Sequence, residues 1–287
     1  MQILITGGNG FLGKALRLQL ERNCSVIATG LGIDRLHNHN HKYLELDIQS
    51  RQKCLDVLNK YKPSVIVNAA AFTDVDKCEN NQKKCLDVNC KSLDHLILYS
   101  IKHKVHFIQI STDFVFSGKK GNYIENDICK PVNFYGFSKL EAEKKIINSN
   151  LFYTIVRTSL LYNFSGNNFL TRFIEKIKNN LELKIVNDQF RTPTYLFDLV
   201  SAILVIIQLR KFGIYHISGG ESLSIFDIVC TFVKHMDLNS SLITNISSND
   251  LHQIATRPMN STLIVDKAKK DFNFNPNNLN DVKNLLL

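Results

Sequence analysis

Two side chains near the middle of the sequence are spaced so that they could share acid–base chemistry. Tyr135 and Lys139 stand four residues apart in a segment with a helical pattern, so both project from the same face. An ammonium group beside a phenol stabilises the phenolate and lowers the tyrosine pKa from about 10 towards neutral pH. We therefore expect Tyr135 to act as a general acid towards a ketone oxygen. Of the nine tyrosines, it alone has a lysine at this spacing.

A third polar group follows an apolar run that has the character of a buried strand. The run at 107–110 reads Phe-Ile-Gln-Ile and leads directly into Ser111, Thr112 and Asp113. Ligands of open α/β sheets bind at the carboxyl ends of the strands, where a hydroxyl can contact the substrate oxygen. We expect Thr112 to join the tyrosine and the lysine in one catalytic site. The alternative for Thr112 is a hydroxyl that only caps a turn.

Three glycines, spaced three residues apart, follow the first apolar run of the chain. They are Gly7, Gly10 and Gly13, and the helical segment that contains Gly13 opens with Phe11 and Leu12; we place all five residues in the cofactor site. Glycine permits a tight turn, lets a pyrophosphate approach the backbone and allows close packing of helix on strand. The free N–H groups at the helix start then bind the diphosphate. This pattern predicts a dinucleotide-binding loop.

The residues after the second strand bear on the choice of dinucleotide. Enzymes that use NAD commonly carry an acidic residue at the end of this strand, where it binds the ribose 2′-hydroxyl. Here the strand ends at Thr29 and Gly30, and Asp34 and Arg35 come later in the loop. Because Arg35 could pair with a 2′-phosphate, we place Thr29 and Arg35 in the cofactor site. We favour NADP and keep NAD as the alternative.

Short apolar runs alternate with amphipathic segments over the first two thirds of the chain. This alternation is typical of a doubly wound parallel sheet covered by helices on both faces. We predict the α/β class, with a Rossmann-type core over 1–160 and a smaller, mostly substrate-binding region over 161–287. Strands near 183–186 and 213–218 are expected to contribute to the core or to its edge. The predicted core strands are 2–6, 25–29, 43–45, 64–68, 106–111 and 152–157, and the predicted core helices are 11–22, 51–61, 82–102 and 135–148.

Composition and charge narrow the class of protein. The 287 residues carry a formal net charge of +9, but no basic stretch is long enough to indicate nucleic-acid binding. The seven cysteines are scattered and include no C-x-x-C pair, which argues against disulfides and zinc and fits a cytoplasmic protein. We see no secretory signal and no apolar run long enough to span a bilayer, so we expect no membrane partner.

One loop gathers three histidines in the run His37-Asn38-His39-Asn40-His41. Alternating imidazoles could ligate a metal, but the run itself contains neither carboxylate nor thiolate. We interpret it as a solvated polar turn and expect no metal site.

Seven segments, taken in order, resemble the extended short-chain dehydrogenases and, within them, the dTDP-4-dehydrorhamnose reductases. The resemblance implies a catalytic hydroxyl, acid and lysine at Thr112, Tyr135 and Lys139, the last two also touching the cofactor. It further implies cofactor contacts at Gly7, Gly10, Gly13, Asp47, Ile48, Ala69, Ala70 and Ala71. The segments are TGGNGFLG (6–13), VNAAAFTDVDKCE (67–79), STDFVFSG (111–118), YGFSKLEAE (135–143), RTSLLY (157–162), DQFRTPTY (188–195) and RPMNSTL (257–263).

The same resemblance places Phe114, Arg191 and Arg257 in the part of the family that binds the sugar nucleotide. The alternative for the two arginines is a position in polar surface loops. Rhamnose-forming reductases usually carry Tyr where this chain has Phe114 and Trp where it has Leu160, which leaves the identity of the sugar open. Sugar 4,6-dehydratases carry Glu at the position of Phe114, so this residue argues against dehydration.

These observations favour NAD(P)H-dependent reduction of a keto group on a nucleotide-linked sugar, the type of step found in rhamnose biosynthesis. Two alternatives stay open at this point. One is an epimerase or dehydratase that recycles its nicotinamide; the other is a non-catalytic subunit like the regulators of methionine adenosyltransferase. A homodimer is a further expectation from the resemblance.

Overall fold

The computed structural model describes residues 1–37 and 39–282, and its largest element is a sheet of seven strands. Asn38 of the histidine-rich loop and residues 283–287 of the predicted second region lie outside the described residues. The strands of the sheet are β1 (Gln2–Thr6), β2 (Ser25–Gly30), β3 (Lys42–Glu45), β4 (Val65–Asn68), β5 (His106–Thr112), β6 (Phe152–Thr158) and β11 (Gly213–His216).

The strand order is that of a doubly wound sheet. It runs β11-β6-β5-β4-β1-β2-β3, and the pairs from β3 across to β5 are parallel. The chain winds outward from β1 in one direction and from β4 in the other, so the order reverses between these two neighbours. In such sheets the loops that leave the carboxyl ends at the reversal form the ligand crevice. The predicted α/β fold with a mostly parallel, Rossmann-type sheet is confirmed.

Helices cover the sheet, which explains why its central strands, such as β1 and β4, are apolar runs without alternation. In β1, Ile3, Leu4 and Ile5 are all buried. The predicted helix over 82–102 is interrupted by a π-helical turn at Asp87–Lys91, and a short helix over Val75–Asn80 was not predicted. The helices of this part are α1 (Phe11–Leu20), α2 (Arg51–Tyr61), α3 (Val75–Asn80), α4 (Gln82–Leu86), α5 (Leu93–His103) and α6 (Phe134–Ile147).

The chain forms two compact units whose segments interleave along the sequence. Unit 1 comprises residues 1–112, 133–156 and 200–215, and unit 2 comprises 113–132, 157–199 and the described residues from 216 onward. The predicted boundary at residue 160 assigns the dinucleotide to residues 1–160 and the substrate mostly to residues 161–287. This assignment of the two ligands stays a prediction.

Unit 2 is built from short strand pairs and helices around an aromatic core that includes Tyr162 and Phe232. The strand at 183–186 pairs with 243–246 and does not join the seven-stranded sheet, which corrects one prediction, whereas the strand at 213–216 does lie at the sheet edge. The elements are β7 (Leu161–Tyr162), β8 (Leu183–Val186), β9 (Phe190–Arg191), β10 (Thr194–Tyr195), β12 (Leu223–Ser224), β13 (Ile243–Ile246), α7 (Phe169–Lys178), α8 (Leu196–Leu209, continuing into unit 1), α9 (Ile225–His235) and α10 (Asp266–Phe272).

Within the described residues, no helix has both the length and the apolar character that crossing a lipid bilayer requires.

Candidate active site

The glycine loop between β1 and α1 has no room for side chains at two of its glycines. A Cβ on Gly13 would lie 2.1 Å from the carbonyl oxygen of Gly7. A Cβ on Gly7, whose φ is +69°, would lie 2.7 Å from the backbone of Ala69 and Ala70. The N–H of Gly10 donates to the Gly7 carbonyl at 2.8 Å and closes the turn. The backbone is therefore bare where α1 begins, as a diphosphate site requires.

A cavity of about 530 Å³ opens above this loop in unit 1. It brings together most of the residues predicted to bind the cofactor, and it also contains residues that sequence reasoning missed. The predicted residues that line it are Gly7, Gly10, Arg35, Asp47, Ile48, Ala69, Ala70 and Ala71. The residues missed are Asn9, Gly30, Leu31, Leu46, Gln49, Lys84 and Val88.

Six residues predicted for the cofactor are not among those lining this cavity: Phe11, Leu12, Gly13, Thr29, Tyr135 and Lys139. Leu12, Gly13 and Thr29 are buried. The Thr29 hydroxyl donates to the carbonyl of Ile5, and the Thr29 carbonyl accepts from Gly8. Through these two hydrogen bonds, Thr29 stabilises the glycine loop from the neighbouring strand β2.

Asn9 ties the glycine loop to the segment that follows β2. Its side-chain amide donates to the carbonyls of Leu31 and Ile33, at 3.0 and 2.8 Å, and to the hydroxyl of Tyr43 at 2.6 Å. Its side-chain oxygen accepts the N–H of Arg35 at 3.0 Å. Asn9 therefore positions the backbone of Arg35, the one arginine among the described residues that line the cavity. The sequence could have indicated Asn9, because it lies between Gly7 and Gly10 of the glycine pattern.

A buried arginine on α1 organises the other side of this segment. The guanidinium of Arg17 bonds to the carboxylate of Asp34 at 2.6 Å, the carbonyl of Gly8 at 3.1 Å and Nε2 of His41 at 2.6 Å. Burial alone would raise the pKa of Asp34, but hydrogen bonds from Arg17 and from the Leu36 N–H, together with the arginine charge, hold that pKa well below its usual range.

The histidine-rich loop belongs to the same network. Glu21, His39 and His41 each place one ligand atom within 4.8 Å of the others, a spacing that a metal could use. In the structure these groups bond to protein partners. His41 Nδ1 pairs with Glu21 at 2.7 Å, and His39 Nε2 pairs with Asp34 at 2.8 Å. The histidines that the sequence assigned to a solvated turn therefore take part in holding the loop after β2.

The three predicted catalytic residues all lie in unit 1. Thr112 ends β5 and is buried, while Tyr135 and Lys139 lie one turn apart on α6, where Tyr135 is half-buried. Lys139 is only 3% exposed, and its Nζ donates to the carbonyl of Ile110 on β5 at 2.6 Å. Burial lowers the pKa of Lys139 to about 8, against the opposing charge of Glu143. An ammonium with a lowered pKa thus lies between α6 and the strand that Thr112 ends.

The start of α6 is fixed by two side chains. The Asn133 side chain caps the helix by accepting the N–H of Gly136 at 2.8 Å. A carboxylate oxygen of Glu79 accepts the N–H of Phe134 at 2.9 Å. These bonds satisfy two of the open N–H groups of the first turn, which is the turn that carries Tyr135.

Asn89, in the π-helical turn, links the loop beneath the cavity to α6. Its side chain accepts the N–H of Phe72 at 2.7 Å and donates to the Phe72 carbonyl at 3.0 Å. It also donates to the Ser138 hydroxyl at 2.9 Å, and that hydroxyl donates to the carbonyl of Tyr135 at 2.7 Å. This buried network links the turn of α6 that carries Tyr135 to Phe72, the residue that follows the Ala69–Ala71 loop. Sequence reasoning missed it.

In unit 2, the predicted substrate residue Arg191 is buried rather than part of a surface loop. Its guanidinium lies 3.7 Å from the carboxylate of Asp113 and 5.2 Å from the ring centre of Phe114. Burial lowers the pKa of Arg191, and the charge of Arg257 lowers it further, while Asp113 opposes both. Arg257 is half-buried and donates to the carbonyl of Ala255 at 2.6 Å. Two guanidinium groups are thus near enough to repel each other, which suits an anionic ligand.

Comparison with known families decides where this chain belongs. The family model described as the RmlD substrate binding domain matches residues 1–286. The chain is a member of the RmlD family. The match extends through both units, so the glycine loop of unit 1 and the arginines of unit 2 are parts of one family domain.

This RmlD-family chain is similar in sequence and in structure to known reductases. The dTDP-4-dehydrorhamnose reductase of Aggregatibacter actinomycetemcomitans is 32% identical, over 96% of this chain and 94% of that protein. The crystal structure of dTDP-4-dehydrorhamnose reductase from Bacillus anthracis str. Ames in complex with NADP has a TM-score of 0.88 and 27% identity, covering 99% of this chain and 97% of that chain.

This chain is also similar to a protein named as a subunit of another enzyme. Methionine adenosyltransferase 2 subunit beta of Pongo abelii is 26% identical, over 93% of this chain and 81% of that protein. It is less similar to this chain than the Aggregatibacter reductase in both identity and coverage.

Proposed function

We propose that this RmlD-family chain uses NADPH to reduce a keto group on a nucleotide-linked sugar. The observation that carries the proposal is the buried Lys139 ammonium, fixed between α6 and the carboxyl end of β5, in the same unit as the glycine-loop cavity. It sits one helical turn from Tyr135, where its charge favours the phenolate. The similarity to dTDP-4-dehydrorhamnose reductases supports the same reaction class.

Each of the three catalytic candidates has its own role in this proposal. A reduced nicotinamide held by the glycine-loop cavity would supply a hydride to the keto carbon. Tyr135 gives its phenolic proton to the keto oxygen, and Thr112 orients that oxygen by a hydrogen bond. Lys139 holds a positive charge near the phenol, which stabilises the phenolate that is left after proton transfer.

The cavity of unit 1 fits a dinucleotide, and its charges favour NADP over NAD. Arg35 lines it, with its backbone held by Asn9, and can face a 2′-phosphate. The acidic residue next to it, Asp34, bonds to Arg17. The Bacillus anthracis reductase was solved with NADP, which agrees with this preference. Gly7 and Gly10 would receive the diphosphate, Asp47 and Ile48 would contact the adenine, and the Ala69–Ala71 loop would lie beneath the cofactor.

In unit 2 we propose that Arg191 and Arg257 supply positive charge for the diphosphate of the substrate and that Phe114 contacts the sugar. The phenylalanine ring lacks the hydroxyl that rhamnose-forming reductases usually carry there, so a 6-deoxy-4-hexulose other than the rhamnose precursor is within the proposal. Phe114 also lacks the acid that a dehydratase needs, which disfavours the epimerase or dehydratase alternative.

The test is oxidation of NADPH by the purified chain in the presence of dTDP-4-dehydrorhamnose and related nucleotide-linked ketosugars. Tyr135→Phe should lower kcat by about 10²- to 10⁴-fold, because the general acid is lost. Binding of NADP⁺ should persist in this variant. Tyr153→Phe, on β6, is the matched control and should retain full rate.

Two outcomes would contradict the proposal. If the purified chain turned over none of the ketosugars, the proposed reductase function would be refuted. Full biological function in Tyr135→Phe, together with capture of a methionine adenosyltransferase, would favour the regulatory alternative instead.

We also propose that the protein works in the cytoplasm as a homodimer. All seven cysteines are free thiols, which suits a reducing compartment. Light scattering on the purified chain tests the dimer: a mass of one chain at working concentration would contradict it.

A further inference from the structure

Asp34 lies in the loop after β2, close to where NAD enzymes take the acid that binds the ribose. Here protein groups occupy both of its oxygens. One accepts from Arg17 at 2.6 Å and from His39 at 2.8 Å, and the other accepts the N–H of Leu36 at 3.0 Å. The next residue, Arg35, lines the dinucleotide cavity, whereas Asp34 is not among the described residues that line it.

Arg17 is held so that it cannot turn away from Asp34. Its side chain is fully buried, and its other N–H groups donate to the carbonyl of Gly8 and to Nε2 of His41. The guanidinium also lies 5.0 Å from the ring centre of Tyr43. Because Nε2 of His41 accepts this bond, the histidine keeps its proton on Nδ1 and donates it to Glu21.

The electrostatic consequence concerns the ribose 2′-position. A free carboxylate in this loop would repel a 2′-phosphate and could accept a hydrogen bond from a 2′-hydroxyl. A carboxylate paired with a buried guanidinium does neither. The loop then presents the charge of Arg35 to the ligand without an opposing acid.

We propose that Arg17 is a specificity-determining residue that gives the cavity its preference for a 2′-phosphorylated dinucleotide, by neutralising Asp34 and keeping it away from the ribose. This inference rests on the proposed dinucleotide-dependent function. Arg17 acts through Asp34, so it is a positioning residue and need not touch the ligand.

The test measures binding of NADP⁺ and NAD⁺ to the full chain by calorimetry, without any sugar. Arg17→Gln should weaken NADP⁺ binding about tenfold or more, with NAD⁺ binding unchanged or tighter, because the freed carboxylate opposes the 2′-phosphate. Adding Asp34→Asn to that variant should restore most of the NADP⁺ affinity. A purely structural role would weaken both dinucleotides alike and would show no rescue.

Two further variants keep the test decisive. Arg22→Gln removes a charge from an exposed residue just after α1 and should change neither affinity more than about twofold. Asp34→Asn alone serves if Arg17→Gln does not fold. It should leave the ratio of the two affinities within about threefold, because Arg17 already neutralises the acid.

The outcomes separate this inference from the proposed function. A rise of about tenfold in NADP⁺ preference in Asp34→Asn would overturn the inference, because it would mean that the native carboxylate reaches the ribose. Wild-type protein that binds neither dinucleotide would instead remove the proposed function itself.

Discussion

At the scale of single residues, the side chain of Lys139 places a charge where burial disfavours it. The lysine is 3% exposed and gives one hydrogen bond to Ile110, so its pKa falls to about 8. A group with such a pKa loses its proton within the range in which enzymes are assayed. Its charge, and with it the stabilisation of a phenolate on Tyr135, should therefore depend on pH.

We expect kcat/KM for reduction to be level below about pH 8 and to fall as pH rises above it, because neutral Lys139 no longer favours the Tyr135 phenolate. A pH profile of the NADPH-dependent rate measures this. In Lys139→Arg, whose guanidinium does not titrate in this range, the fall should disappear. If the arginine variant keeps the same profile, another group is responsible.

Residues with a local pattern were predictable from the sequence, and residues that act through distant partners were not. The spacing of the glycines and of Tyr135 and Lys139 is visible in the chain itself. Arg17 looked like any helical arginine, since its partner Asp34 lies 17 residues away. Asn89 bonds to Ser138, 49 residues away. No local signal encodes such pairs, because they form only when the sheet brings the loops together.

At the scale of elements, the contact of β1 with α1 depends on the absence of side chains. The helix begins beside the Gly7 carbonyl, at the loop whose Gly7 and Gly10 line the cavity and whose backbone N–H groups are the expected donors to a diphosphate. Larger residues would push the helix away and move those donors.

Gly13→Ala should abolish measurable dinucleotide binding, weakening it by about 100-fold or more, and should lower the free energy of unfolding by about 1–3 kcal/mol. The added Cβ would lie 2.1 Å from the Gly7 oxygen, so the loop must shift. Gly220→Ala is the matched control, since its nearest neighbours would be 3.7 Å away. Calorimetry and denaturant unfolding measure both effects. Normal binding by Gly13→Ala would refute this account of the loop.

Element prediction succeeded where a segment has one clear period and failed where a tertiary bond overrides the period. The apolar runs of all six predicted core strands appear in the sheet. The helix predicted over 82–102 is interrupted at the turn in which Asn89 bonds to the backbone of Phe72. The spacing of apolar residues along the helix gives no indication of this bond. The strand at 183–186 was recognised, but its partner at 243–246 was not, so it was assigned to the wrong sheet.

At the scale of the whole molecule, each unit contains a histidine that burial keeps neutral. In unit 1, burial and the charge of Arg210 lower the pKa of His106 to about 4. In unit 2, burial and the charge of Arg157 lower the pKa of His216 to about 3. Both values lie below the ordinary pKa of about 6.5, so the unfolded chain takes up these protons first as pH falls.

The free energy of unfolding should therefore be highest above pH 6.5 and should fall as pH drops from there towards 4, by on the order of 2 kcal/mol for each histidine. Denaturant unfolding at pH 7 and pH 4.5 measures the difference. His106→Gln and His216→Gln should each reduce this loss, whereas His252→Gln, at an exposed position, should not. An equal loss in all three variants would assign the acid sensitivity elsewhere.

Because residues 200–215 return to unit 1, the sheet of this unit is completed late during translation. On the ribosome, a nascent chain that has reached β6 still lacks β11, the strand that borders it in the finished sheet. Until residue 216 has emerged, β6 offers a row of unpaired N–H and C=O groups, the kind of border along which chains aggregate. The sheet that holds the glycine loop is thus protected from pairing with other chains only after the first two segments of unit 2, residues 113–132 and 157–199, have been made.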